Sequence, residues 1–212
     1  MKLSTVSAVV TRGGLISTSQ DVLAKVAASL ESATLHLSAI LRTGFDRQEN
    51  LDHFWVDSLD KPFPNGFIRL RLTNGFVVPD EDLEVRFAYF LNELPTRTPV
   101  NLSHTTIGYE KGLVVMTEAD PLVGLLPRRT FDQMFASVTY TSGFEVDEEA
   151  DDVYIGVPDW LRELAEVLAL GIYREGGKCE DKDKACKCGG PSFCALLEKY
   201  IRWYPSAFST II

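Results

Sequence analysis

The sequence lacks the features that mark membrane and secreted proteins. It has no apolar stretch near the roughly 18 to 20 residues that a membrane span requires. The apolar residues of the first segment are interrupted by Ser and Thr and stop at Arg12-Gly13-Gly14, so residues 1–12 predict a short strand rather than a signal peptide. All four cysteines lie within residues 179–194, unlike the dispersed cysteines of a secreted disulfide framework. We therefore expect folding in a reducing cytoplasm and no membrane association.

Motifs for nucleotide binding and acyl transfer are also missing. The sequence contains no P-loop, no G-x-G-x-x-G and no G-x-S-x-G motif. Its three histidines, His36, His53 and His104, are far apart, and none belongs to an H-E-x-x-H motif. His36 lies between two leucines, which favours a packing or helix-surface role over metal ligation. The sequence favours a protein that is not an enzyme; a hydrolase without a recognisable motif is a remote alternative.

Basic residues are scarce relative to acidic ones. The chain has 21 Lys and Arg against 30 Asp and Glu, a net charge of -9, which argues against bulk attraction to nucleic acid or anionic membrane. Ten of the 30 carboxylates lie in two runs without Lys or Arg, and the other 20 nearly balance the 21 basic residues. The first run is Asp80, Glu81, Asp82 and Glu84, and the second is Glu145, Asp147, Glu148, Glu149, Asp151 and Asp152.

The remaining pattern predicts two helical regions around a β-rich middle. Apolar residues at three- and four-residue steps predict an amphipathic helix over residues 20–43, preceded by Ser and Thr cap candidates and stopped by Gly44. Residues 67–72 alternate apolar and basic side chains before Asn74-Gly75, which predicts a hairpin with residues 76–78. Because no helical pattern intervenes in the middle of the chain, we expect an antiparallel meander or sandwich there.

Helical periodicity returns after Pro158-Asp159 and again over residues 193–203. The first of these helices is expected to expose its charged residues, Glu163 and Glu166 among them. The predicted fold class is α+β, with N-terminal and C-terminal helices packed as a small bundle and an antiparallel β-rich region inserted between them. The expected regions are 1–50, an N-terminal strand and long helix; 51–144, the β-rich region; 145–175, an acidic loop and core helix; and 176–212, a cysteine loop, last helix and C-terminal docking segment.

One part of the chain suggests a family. Residues 138–144 (VTYTSGF) and a short acidic insert precede residues 157–161 (VPDWL), and the following helix ends at residues 172–175 (IYRE). This order resembles the end of head-to-tail connector proteins (adaptor or head completion proteins) of tailed bacteriophages. In that family a strand ending in V-T-Y-T-x-G-aromatic precedes a V-P helix entrance. Residues 109–115 (YEKGLVV) are similar to the family's preceding strand, and the helix at 20–43 corresponds to its N-terminal helix.

The resemblance implies a non-enzymatic structural protein of the virion neck, assembled in the host cytoplasm and without catalytic residues. It implies a homo-oligomeric ring, expected to be dodecameric, beneath the phage portal protein. Such a ring extends the DNA channel, lets DNA pass without specific binding and joins the head to the next neck or tail protein.

The apolar, uncharged end of the chain matches a further property of this family, whose C-terminal segment reaches into the portal. An exposed apolar segment of this kind requires a cover. The portal is one candidate cover, and the chain's own core is the alternative. The candidate partner-binding residues are Ala207, Phe208, Ser209, Thr210, Ile211 and Ile212.

Four thiols close together are candidates for a structural zinc site. The candidate ligands are Cys179, Cys186, Cys188 and Cys194. Tetrahedral zinc accepts four thiolates, and Gly189-Gly190-Pro191 supplies a tight turn, but only one residue separates the central pair where zinc knuckles usually have two. Zinc, one or two disulfides formed in the mature particle, and free thiols therefore remain open. A cytoplasmic protein-binding module with a four-cysteine zinc loop is the alternative function.

The second acidic run has three interpretations. Its spacing lacks the glycine and closing glutamate of an EF-hand, so a solvated loop is favoured over a divalent-cation site. In a ring, the run would be repeated in every subunit, and carboxylates facing the channel would repel DNA. Glu145, Asp147, Glu148, Glu149, Asp151 and Asp152 are therefore the channel-facing candidates. The three tryptophans, Trp55, Trp160 and Trp203, are expected to pack in the core or at subunit interfaces.

Overall fold

The computed structural model describes residues 1–16, 19–55, 67–79, 83–88, 105–110, 112–117, 135–149, 152–176 and 185–203. The chain divides into two compact units. The helical unit comprises Met1–Thr43 and Phe144–Ile212, and the β unit comprises Gly44–Gly143. Among the described residues, no helix is both long and apolar enough to span a membrane.

The helical unit contains four described helices and a small two-stranded sheet. The helices are α1 (Val6–Gly13), α2 (Gln20–Leu41), α3 (Asp159–Arg174) and α4 (Ala185–Trp203), the last interrupted at Gly190. Helix α3 packs against each of the other three helices. Its inward face is fully buried, because apolar residues recur along it at three- and four-residue steps; they include Leu161, Leu164, Ala165, Leu168 and Ala169.

The α+β class is confirmed, with terminal helices packed together around an inserted antiparallel β region. The predicted strand over residues 1–12 is wrong, because residues 6–13 form α1. The Thr5 side chain accepts a hydrogen bond from the Ala8 N–H at 3.1 Å, and Gly14 ends the helix at φ 60°. Val9, on its inner face, is fully buried. These caps and the packing of one face outweigh the preference of valine for strands.

Helix α2 ends two residues before the predicted boundary. Arg42 takes a left-handed conformation at φ 50°, so the helix stops there and not at Gly44. The Thr43 N–H donates to the Ser38 carbonyl at 3.2 Å, and the Ser38 hydroxyl donates to the Thr43 carbonyl at 2.7 Å. These two bonds satisfy backbone groups of the last turn that have no partner within the helix.

The described residues of the β unit form two three-stranded antiparallel sheets. One has the order β1-β6-β3 and the other the order β2-β5-β4. The strands are β1 (Gln48–Trp55), β2 (Phe67–Arg71), β3 (Glu84–Ala88), β4 (Thr105–Gly108), β5 (Leu113–Thr117) and β6 (Phe135–Ser142). Strands adjacent in the sheets are not always adjacent in sequence, so the arrangement is not a simple meander.

The predicted hairpin around Asn74-Gly75 is wrong. Strand β2 pairs with β5, with Leu70 opposite Val114. After the turn, the Phe76 N–H donates to the Glu110 carbonyl at 3.0 Å rather than to β2. Phe76 has φ 54° and is buried, so the backbone changes direction where a hairpin would continue as a strand.

Candidate functional site

A partly buried ionic cluster joins α1, α3 and α4 of the helical unit. Arg12 of α1 donates through Nε to Glu166 Oε2 at 2.6 Å and through Nη1 to Glu163 Oε1 at 3.3 Å, both carboxylates lying on α3. The Ser4 hydroxyl donates to Glu166 Oε1 at 2.7 Å, and the Tyr200 hydroxyl of α4 donates to Glu163 Oε2 at 3.2 Å. The hydrogen bond to Glu166 is the main cause of a raised pKa for Arg12, which keeps the guanidinium charged.

This cluster corrects the expectation that Glu166 faces water. Its residue is only 8% exposed, because Ser4 and α1 cover that turn of α3. Each Glu166 oxygen accepts a hydrogen bond, one from Arg12 and one from Ser4. With both oxygens already engaged, the arrangement suits helix packing better than proton transfer to a substrate.

A second polar cluster holds the turn at residues 73–74 in the β unit. The Tyr140 hydroxyl donates to Asp52 Oδ2 at 2.9 Å and accepts the Asn74 N–H at 3.0 Å. The Thr73 N–H also donates to Asp52 Oδ2, at 2.6 Å. Burial is the main cause of a raised pKa for Tyr140, so its hydroxyl remains a neutral donor. Sequence analysis missed this cluster because its members come from three separate segments.

The residues that carry the family resemblance lie where the chain passes from the β unit, which ends at Gly143, to the second segment of the helical unit. Strand β6 is the central strand of its sheet and ends at Ser142. Gly143 follows at φ +93°, and a Cβ at this position would collide with the carbonyl oxygen of Asp46. Val157 is buried and Pro158 is the N-cap of α3. The V-T-Y-T-x-G and V-P elements thus form a strand end, a glycine-dependent turn and a helix entrance.

Most of the second acidic run belongs to a small hairpin, here called the acidic hairpin, in which β7 (Val146–Asp147) pairs with β8 (Val153–Tyr154). Glu145, Glu148, Glu149 and Asp152 are exposed, and Asp147 is half-buried. Asp147 Oδ1 accepts the Glu149 N–H at 3.0 Å, which holds the residues that follow β7. Asp151 lies outside the described residues, and within them no group of three or more candidate ligands could hold a metal ion. Exposure on the helical unit fits a solvated loop; the channel-facing role stays a prediction.

The other candidate residues are only partly described. Cys194 is half-buried in α4; Cys186 and Cys188 lie on the same helix before Gly190, their side chains undescribed, and Cys179 lies outside the described residues. In the first acidic run, Glu84 is half-buried on β3, while residues 80–82 lie outside, as do residues 207–212 and His104. The choice among zinc, disulfides and thiols therefore stays open.

The remaining histidines and tryptophans have packing or surface positions where they are described. His36 is buried in α2, and His53 is exposed on β1. Trp160 is half-buried, with its ring 5.5 Å from that of Tyr200. This ring contact joins α3 to α4, as expected for a packing tryptophan; the side chains of Trp55 and Trp203 are not described.

A groove that sequence analysis did not predict lies between α2 and α3. It has a volume of about 490 Å³, and its lining includes Lys25, Ser29, Ser32, Ile172, Tyr173 and Arg174. Lys25 and Arg174 are exposed, and none of the described lining residues is acidic. The two cations are far apart in sequence and line one groove because α2 packs on α3, so no local pattern indicated them.

Comparison of the whole chain with models of known protein families and with curated protein sequences found no match.

Proposed function

We propose that this protein is a head-to-tail adaptor of a tailed bacteriophage, a non-enzymatic virion protein that forms a ring under the portal. The ring extends the DNA channel and provides the attachment surface for the next neck or tail protein. The observation that carries the proposal is the position of the resembling residues at the end of β6, at the turn that follows it and, after the acidic hairpin, at the entrance of α3.

The turn supports the proposal because its glycine is required by geometry. Gly143 has φ +93°, and a Cβ on this residue would collide with the carbonyl oxygen of Asp46. A larger residue therefore does not fit without backbone movement. Its N–H donates to the Phe76 carbonyl at 2.9 Å. The glycine of the V-T-Y-T-x-G-aromatic pattern therefore has a physical role here, which a chance match would not need.

The helix entrance also supports the adaptor proposal, because its proline has a structural role. Pro158 precedes α3 with φ -58°, the value that its ring imposes, and its carbonyl accepts the Leu161 and Arg162 N–H groups at 3.0 and 3.1 Å. The helix that follows contacts all the other described helices. The V-P element thus begins the helix on which the helical unit is built.

In this proposal the apolar segment 207–212 binds the portal, and the acidic hairpin is the candidate for the channel wall. A wall of carboxylates would repel phosphates and let DNA pass without adhering. A negative lumen and an apolar docking segment are compatible, since they are separate parts of the chain.

The test is assembly with the portal protein encoded by the same phage. We expect the full chain to form rings or to bind the portal, measured by light scattering after size exclusion and by negative-stain microscopy. A chain that stays monomeric and ignores the portal would refute the adaptor proposal.

The docking segment has its own test. Deletion of residues 208–212 should abolish portal binding and leave the far-ultraviolet circular dichroism unchanged, because the described helices do not include this segment. The matched control is S209A/T210A, which changes the same segment but keeps its apolar side chains and should bind normally. Unchanged binding by the deletion variant would reject segment 207–212 as the portal contact.

A further inference from the structure

We infer that the groove between α2 and α3 receives the acidic hairpin of a second copy of this chain, so that copies associate head to tail. This deepens the proposed function and rests on it for closure of the ring. It assigns Glu148 and Glu149 to the contact between neighbouring subunits in place of the channel wall.

The groove selects an acidic occupant. Lys25 contributes from α2 and Arg174 from the last turn of α3, both exposed, while the described lining contains no carboxylate. Ser32 and Tyr173 add hydroxyl groups that can donate to carboxylate oxygens.

The acidic hairpin presents carboxylates that suit such a groove. Glu148, Glu149 and Asp152 are exposed, and the Glu149 N–H donates to Asp147 Oδ1 at 3.0 Å. The base of the hairpin is fixed by Lys2, whose N–H donates to the Asp152 carbonyl at 3.0 Å and whose carbonyl accepts the Tyr154 N–H at 2.9 Å. A strand pair held at its base loses less conformational entropy on binding than an unpaired segment does.

The hairpin is attached on the wrong side of α2 to reach the groove of its own copy. Lys2 is followed by Leu3, whose N–H donates to Thr34 Oγ1 on α2 at 3.2 Å. At about 100° of rotation per residue, Lys25 lies about 180° and Ser32 about 160° around the helix from Thr34. The occupant of the groove is therefore a hairpin from another molecule.

Exposed apolar side chains accompany both surfaces. Leu35 is 72% exposed on α2, one turn beyond Ser32 of the groove. Ile155 is 51% exposed immediately after β8 of the hairpin. A contact that combines charge pairing with burial of these two side chains has the mixed character of a subunit interface.

The contact joins two different surfaces, so it is heterologous. Such contacts form closed rings when the rotation between copies closes, and open filaments when it does not. The adaptor proposal requires the first outcome.

Charge reversal tests the contact with the full-length chain. K25E/R174E reverses the two groove cations, and E148K/E149K reverses two exposed carboxylates of the hairpin. We expect the wild-type chain to self-associate in sedimentation velocity at low salt, and each variant to associate about tenfold more weakly. Wild-type association should weaken to a similar extent at 1 M salt, where charges are screened beyond about 3 Å. The control E198K/R162E reverses exposed charges on α4 and α3 outside the groove and hairpin, and should associate as the wild type does.

An equimolar mixture of the two variants provides the decisive measurement. Within either variant, groove positions 25 and 174 face hairpin positions 148 and 149 with like charge, whereas across the two variants these positions face each other with opposite charge. Association should therefore recover in the mixture. Recovery also shows that both variants fold.

Three results would overturn the inference. They are a wild-type chain that never self-associates, weakening by K25E/R174E without weakening by E148K/E149K, and absence of recovery in a mixture of variants with native circular dichroism. Portal binding by the wild-type chain in any of these cases would leave the adaptor proposal standing, so the two failures are distinguishable.

Discussion

Replacement of Glu166 by Gln tests whether the ionic cluster stabilises the helical unit. The carboxylate is buried and accepts hydrogen bonds from Arg12 Nε at 2.6 Å and from the Ser4 hydroxyl at 2.7 Å. Gln keeps the shape of the side chain, but its single oxygen can accept from Arg12 only if its NH2 group donates to the Ser4 hydroxyl, which can also accept. The variant therefore loses the negative charge that pairs with Arg12 and reverses the direction of the Ser4 bond.

The expected cost follows from burial. A hydrogen bond to a charged group contributes about 1.5 to 3 kcal/mol. The Arg12 side chain is 39% exposed, so water screens part of the interaction. We expect the free energy of unfolding of the helical unit to fall by about 2 kcal/mol.

The matched control is Glu163→Gln on the same helix. Glu163 pairs with the same arginine, but at 3.3 Å and with a side chain that is 35% exposed. Surface ion pairs contribute about 0 to 1 kcal/mol, so we expect a loss of about 0.5 kcal/mol.

Urea unfolding followed by circular dichroism at 222 nm measures both variants, since the described helices all belong to the helical unit. The reasoning is refuted if Glu166→Gln costs no more than Glu163→Gln. It is also refuted if Arg12→Met leaves stability unchanged, because that change leaves the buried Glu166 carboxylate without its cation.

Three further predictions concern the turn, the β-unit cluster and the cysteines. Gly143→Ala should destabilise the chain by about 3 kcal/mol in urea unfolding, because the added Cβ would meet the Asp46 carbonyl. The control Gly156→Ala, at φ +74° with open space around it, should cost about 1 kcal/mol. Equal losses would contradict the steric argument. Tyr140→Phe should cost about 1.5 kcal/mol near neutral pH, where the neutral hydroxyl bonds Asp52 and Asn74. Because burial raises the pKa of Tyr140 in the folded chain, the wild-type advantage should be complete below pH ~10 and decline above it, and a difference constant with pH would contradict this. For the cysteines, a four-cysteine site predicts one zinc per chain by elemental analysis, lost in Cys194→Ser, while disulfides predict zinc-free protein with fewer than four reactive thiols before reduction.

The local pattern of the sequence was enough to predict the α+β class and most helices. Helix α2 has 22 residues, so its apolar repeat could be recognised without knowledge of its neighbours. The helix entrance at Pro158 was visible because proline favours the conformation that begins a helix. Helix α1 was missed because it has only eight residues rich in valine, and so short a segment does not distinguish helix from strand by pattern alone.

Interactions between distant segments decided the rest. The pairing of β2 with β5 replaced the hairpin that Asn74-Gly75 suggested, because sheet partners are chosen by packing across the whole β unit. Glu166 was expected in water because its own helix gives no sign of Arg12 or Ser4, which approach from the N-terminal segment. The groove likewise exists only where Lys25 and Arg174 meet across two packed helices. The sequence alone determined which segments become helix or strand and where its acidic charge lies, since these depend on neighbouring residues. Only the tertiary structure decided which charges are buried, paired or exposed, since that depends on residues brought together from far apart in the chain.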